Sequence, residues 1–228
     1  MPLSDRDYMR PSPPPERRYR RPSYFDFSLN PVMAIIIANI VLFIAVLVSP
    51  HGTYPFGPLG QVSSDRFTYY LGLIPYYFTS RPWTLITSMF IHAGFGHIFG
   101  NMLTLFFFGS ALNRLVGNGR FLLVYFIGGI AGNALYLLLG QNLSLVIGAS
   151  GAVNAIAGAL VVMMPKLPVR LYFLIPVPLW VVVLLFFGIW SIPGVIPGVA
   201  WQAHLGGLAV GLIAGFFFRK RIGHDFYR

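Results

Sequence analysis

The chain has 228 residues, of which 56% are hydrophobic and 10% charged, and its mean hydropathy is +0.71. A water-soluble domain of this length has no use for so much apolar surface, so the composition excludes that class and calls for a bilayer. The net charge of +10 would suit nucleic acid in a soluble chain, but its distribution orients the chain in a membrane instead, and no nucleic-acid partner is expected.

Residues 1–30 form a Pro- and Arg-rich stretch containing "MRPSPPPERRYRRPS". It is too polar to pack and is expected as a disordered basic cytoplasmic tail, attracted to anionic lipid. Apolar runs suited to helical spans, which need about 18 or more residues, follow at roughly 31–49, 95–116, 119–140, 150–164, 169–190 and 201–218, the fourth being short. The first run is too long for a signal-peptide core and lacks a cleavage site, so it is expected as a retained span. The spacing thus predicts an all-α polytopic membrane protein, with a six-helix domain over 31–219 and a short cytoplasmic tail over 220–228.

Between the first two spans, residues 50–82 make a connection of unusual length, and such loops tend to be functional. Tyr54, Phe56, Phe67, Tyr69, Tyr70, Tyr76, Tyr77, Phe78 and the following Trp83 make it aromatic enough to lie among headgroups. The fifth span carries Pro176 and Pro178 and is expected to kink there, leaving a loosely held helix that ends in the Pro/Gly loop "SIPGVIPGVA". No internal repeat stands out.

With both termini cytoplasmic, all of the 16 Lys and Arg except Arg66 and Arg81 fall on the cytoplasmic side. That bias requires an even number of spans. The absence of cysteine removes disulfides, thiolate catalysis and cysteine-ligated metals.

Polar residues inside spans are costly and mark pairing or function. They are His92, His97 and Asn101 about the start of the second span, Asn133 in the third, Ser150 and Asn154 in the fourth, and Gln202 and His204 in the sixth. None of the six acidic residues lies in a span, which removes an aspartyl pair, a carboxylate relay and an HExxH zinc site; no metal or cofactor is expected.

What remains is a hydroxyl and a base. Serine attacks only once a base takes its proton, and histidine is the usual base. After His204, Gly207, Gly211 and Gly215 share its helix face, a seam matched by Gly151, Ala155 and Gly158 of the fourth span. Packing the seams together brings His204 to the start of the span that opens with Ser150. In "GASGA", Gly148 allows a tight turn into the helix and Gly151 allows close approach of a neighbour. The free amides of that helix start suit an oxyanion, and Asn101 and His97, one turn apart, could add side-chain donors there. Each feature also has an ordinary account: a serine cap, a packed histidine, an interhelical asparagine. Asn133 and Gln202 read as structural and His92 as a hydrogen-bonding brace.

Together these motifs resemble the rhomboid family of intramembrane serine proteases, over about residues 31–219. "HAGFGHIFGN" is similar to its HxxxN element with a preceding histidine, "GASGA" to its GxSG nucleophile and "AHLGGLAVG" to its AHxxGxxxG span. The resemblance implies Ser150 as nucleophile, His204 as base, and Asn101, His97 and the Ser150 amide as oxyanion hole. It also implies cleavage of transmembrane protein substrates, a water-filled cavity open to the outer face, residues 50–82 as a membrane-embedded loop and the fifth span as a lateral gate. Two departures stand out. The family's Trp-Arg pair reads Trp83-Thr84 here, with Arg81 two residues earlier, and Asn154 replaces an aromatic that packs on the catalytic histidine in several relatives.

Two rivals remain: a non-catalytic rhomboid-like protein that binds transmembrane helices, and a channel or small transporter. The polar residues cluster toward one face rather than crossing the bilayer, which disfavours the channel. The expected location is a prokaryotic plasma membrane.

Overall fold

A computed structural model describes residues 30–171 and 174–225. The tail expected over 1–30 therefore lies, but for Asn30, outside the described residues.

The first helix, α1 (Pro31–Val48), begins where Asn30 accepts a hydrogen bond from the Met33 amide at 3.1 Å, with Pro31 in the first helical position. It buries Val32, Ile35, Ile36 and Asn39 and turns Ile37, Ile40, Val41, Ile44 and Leu47 outward. Outward apolar faces recur on later helices, at Leu123, Ile127, Ile213, Phe216 and Phe217. In water such patches would aggregate; against hydrocarbon they are the solvated surface.

The long connection is folded. Strands β1 (His51–Pro55) and β2 (Gln61–Asp65) form an antiparallel hairpin, and Asp65 caps α2 (Arg66–Leu71) by accepting from the Thr68 amide. Tyr54 stacks on Tyr69 with ring centres 4.4 Å apart. Arg81 lies over Tyr69, Tyr70 and Tyr77 at 4.3, 4.9 and 4.6 Å and donates to the Tyr69 carbonyl, while the Trp83 indole N–H donates to the Tyr70 carbonyl. The loop is thus braced by Arg81 and Trp83 rather than by adjacent residues. Beyond it comes a short α3 (Thr84–Thr87).

Helices α4 (Phe95–Thr104) and α5 (Ser110–Val116) form one rod through a π-helical turn at Leu105–Gly109, followed by α6 (Asn118–Leu139). At the centre is α7 (Ser150–Met163), buried continuously from Gly151 to Leu160. At 1.5 Å per residue it is about 21 Å long, short of a hydrocarbon core of about 30 Å. Its small residues let α6 and α9 (Trp201–Asp225) close in on it.

Among the described residues four helices are long and apolar enough to cross a membrane: Pro31–Val48, Phe95–Val116, Asn118–Leu139 and Trp201–Arg219. Ser150–Met163 and Leu179–Ser191 are apolar but shorter. The expected kinked helix over 169–190 is corrected. Strands β3 (Pro168–Leu171) and β4 (Ile175–Pro178) pair antiparallel, and helix begins only at α8 (Leu179–Val182), continuing through a π turn at Val183–Gly188 to Ser191. Pro176 and Pro178 lack the amides a helix needs, and an isolated two-stranded ribbon tolerates them. The helical part is therefore shorter than its apolar run.

Candidate functional site

The site is built where three loops converge on the start of α7. Leu73 and Val146 exchange backbone hydrogen bonds of 3.0 and 2.8 Å, tying the first long connection to the chain before Ser150. The Gly148 amide donates to the Ser88 carbonyl at 2.9 Å. Gly148 has φ +118, a conformation that L side chains avoid, and a Cβ there would fall 2.6 Å from Nε2 of His97. Glycine is required here by both conformation and space.

Ser150 is the first residue of α7, and Ala149 rather than Ser150 holds the cap position, with no side-chain cap bond. The hydroxyl is thus not spent on the helix. Its Oγ lies 2.9 Å from Nε2 of His204. Nδ1 of the same ring lies 3.1 Å from the Trp190 carbonyl oxygen. A carbonyl only accepts, so Nδ1 carries the ring proton, Nε2 presents its lone pair, and the serine donates to it. His204 is buried and Ser150 half-buried.

The approach of α9 to α7 depends on missing side chains. A Cβ on Gly207 would meet the Gly151 carbonyl oxygen at 1.9 Å, and one on Gly211 the Ala155 carbonyl oxygen at 2.0 Å. Gly132 of α6 fits against the Ala203 carbonyl in the same way, where a Cβ would fall at 2.4 Å. These contacts put His204 one residue beyond a close three-helix junction.

The other candidates surround this centre. The His97 ring packs by Gly148 and lies 5.0 Å from the His92 ring. His92 is buried, and its Nε2 accepts from the Ala149 amide at 3.4 Å. Burial first, and then the neighbouring His97, lower His92 to about 4, so it is neutral near pH 7. Asn101 is buried and donates to the His97 carbonyl at 2.9 Å, a bond within its own helix. Asn154 donates to the Ser150 carbonyl at 2.8 Å, and its Oδ1 is buried without a partner. The polar contact on His204 therefore comes from Trp190 and not from Asn154. Asn133 donates to the Leu85 carbonyl and to Ser88 Oγ, and Gln202 to the Leu139 carbonyl, each joining two elements. Among the described residues no group of three or more metal-ligating side chains comes together.

Sequence reasoning missed Trp190 and Ser88, because the bonds they make to His204 and Gly148 use backbone carbonyls, which leave no residue signature. It also missed the π turns at Leu105–Gly109 and Val183–Gly188, bridged by the Phe108 and Phe187 rings 5.9 Å apart.

Residues 79–221 match the Rhomboid domain. The chain is 34% identical over 161 residues to RHOMBOID-like protein 12, mitochondrial, of Arabidopsis thaliana, covering 62% of this chain and 48% of that protein. It is 32% identical over 141 residues to the rhomboid protease GluP of Bacillus subtilis, covering 62% and 26%. A third relative, rhomboid protein 1, mitochondrial, of Saccharomyces cerevisiae, is 32% identical over 158 residues, covering 64% and 44%. The chain spans about half or less of the length of these relatives.

Proposed function

This chain belongs to the rhomboid family, and from that premise we propose that it is an intramembrane serine endopeptidase working through Ser150 and His204. The observation that carries the reading is the 2.9 Å contact between Ser150 Oγ and His204 Nε2, with Nδ1 engaged on the far side of the ring. Ser150 transfers its proton to Nε2 as Oγ attacks a peptide carbonyl. The histidine then returns the proton to the leaving amine, and water, activated by the same nitrogen, hydrolyses the acyl-enzyme. Buried carboxylate support is not essential to such a pair, since serine sites vary the group behind the base.

The developing oxyanion is served by the amides at the start of α7, which have no intrahelical partner. Asn101 retains a second N–H beyond the one given to His97, and the His97 ring beside Gly148 is a further donor.

Six spans complete the reading, with Ser150–Met163 enclosed by the other helices, Leu179–Ser191 at the periphery with an outward apolar face, and both termini on the positively charged, cytoplasmic side. Substrates are transmembrane segments of other proteins. Their helices must unwind locally to expose a carbonyl, so Gly or Pro near the scissile bond should speed cleavage.

Reaction of the detergent-purified chain with a fluorophosphonate tests the dyad. Wild type is expected to label, and Ser150→Ala and His204→Ala are not. A folded wild type that stays unlabelled, under conditions that label another rhomboid protease, points to the non-catalytic helix-binding reading.

A further inference from the structure

The His204 imidazole is held on two edges by two different elements. Nε2 meets Ser150 of α7, whereas Nδ1 meets the Trp190 carbonyl in the last turn of Leu179–Ser191. Trp190 also lays its indole along the imidazole, with ring centres 6.3 Å apart and planes 22° from parallel. Near-parallel rings at that separation are offset neighbours, so the indole flanks the imidazole. Between Trp190 and α9 the chain runs through turns in which Gly194 and Gly198 have φ of +73 and +75.

The hold is local. Towards its start the segment buries Leu179, Val182 and Val183, but further on Leu184, Leu185 and Phe186 face outward and Trp190 itself is 43% exposed. Near the outer end, Ser191 donates to the Phe187 carbonyl within the same segment. The Trp190 carbonyl bond and the neighbouring indole thus join this end to His204 of α9.

We propose that Trp190 is a positioning residue for His204: its carbonyl fixes the Nδ1–H tautomer, and its indole keeps that carbonyl seated. This rests on the reading of Ser150 and His204 as the catalytic pair. A neutral imidazole free in water samples both tautomers, and the Nε2–H form cannot accept the serine proton. Seating of the outer end of Leu179–Ser191 therefore decides whether the base is competent, even though the segment contributes no group to the reacting atoms.

A backbone acceptor cannot be mutated away, so the test goes through the indole. Full-length protein with 15N-labelled histidine is compared as wild type, Trp190→Ala and Trp190→Phe, the His204 signals being identified by their loss in His204→Ala. Wild type should show a protonated Nδ1 and a bare Nε2, Trp190→Ala a mixture of tautomers, and Trp190→Phe the wild-type form. Fluorophosphonate labelling should slow about tenfold in Trp190→Ala and recover in Trp190→Phe, with kcat falling and KM unchanged on a peptide substrate. An Nε2–H tautomer in wild type, or an unchanged tautomer and rate in Trp190→Ala, overturns the proposal. If Trp190→Ala does not fold, Trp190→Leu against Trp190→Phe decides the same question. Failure of the catalytic reading looks different, as wild type would not label or Ser150→Ala still would, while the tautomer signal would continue to report the seating of His204.

Discussion

Gly207 of α9 lies so close to Gly151 of α7 that a Cβ on Gly207 would stand 1.9 Å from the Gly151 carbonyl oxygen. Because that neighbour is backbone, no side chain can swing aside to relieve the clash. Three residues earlier, His204 reaches Ser150, so the distance between these two side chains depends on a spacing that only glycine permits.

Gly207→Ala should therefore destabilise the fold by roughly 1–3 kcal/mol or more and push His204 away from Ser150. Thermal unfolding in detergent and the labelling rate should fall together. Gly100→Ala is the control: a Cβ there meets nothing within 4 Å, and replacing a helical glycine with alanine should raise stability by roughly 0.5–1 kcal/mol. Equal effects of the two substitutions would show that the seam is not tightly packed.

The seam can be read from sequence because glycine repeats at three and four residues define a face before any partner is known. So can Gly148, since a glycine before a helix start is the residue that tolerates its φ of +118. The fifth apolar run cannot be read in this way. Hydropathy counts Leu171 and Ile175 as span, whereas the amides missing at Pro176 and Pro178 turn them into a hairpin. The cage around Arg81 is also hidden, because aromatic residues 69, 70 and 77 meet it only after the loop has folded.

That cage yields a prediction about the loop. Cation–π contacts at exposed sites contribute about 0.5–1 kcal/mol each, and the planar guanidinium also donates to the Tyr69 carbonyl at 2.9 Å. Arg81→Lys keeps the charge but loses the stacking fork, so it should resemble Arg81→Ala more than wild type. Hydrogen exchange of amides over residues 66–83 should quicken in both, with the spans unaffected. Protection retained in Arg81→Lys would mean that charge alone holds the loop.

A pH dependence of stability follows from His92. Burial holds it at about 4 in the folded state, below its ordinary 6.5, so between these values the unfolded chain binds the extra proton. Stability is then fully present above about pH 6.5 and declines as pH falls toward 4, by at most about 1.4 kcal/mol per unit. The titratable group facing it is His97, 5.0 Å away ring to ring. Unfolding midpoints at pH 7, 6 and 5 should drop in wild type and drop less in His92→Gln. Parallel slopes would assign the pH response to other groups.

Asn133 makes the most distant prediction for the site. Its Nδ2 donates to the Leu85 carbonyl at 2.8 Å and to Ser88 Oγ at 2.9 Å, and the Ser88 carbonyl in turn accepts from the Gly148 amide. A chain of hydrogen bonds thus runs from the middle of α6 to the turn that aims Ser150. Asn133→Leu keeps the branched shape but removes the donors to the Leu85 carbonyl and the buried Ser88 hydroxyl, which should cost roughly 1–3 kcal/mol. The Gly148 turn loses its support without losing its own bond, so the labelling rate should fall several-fold in protein that remains folded. Asn133→Leu combined with Ser88→Ala removes the stranded hydroxyl and should recover part of the stability but not the rate. If the double variant recovers both, the chain of bonds serves folding alone and does not aim the serine.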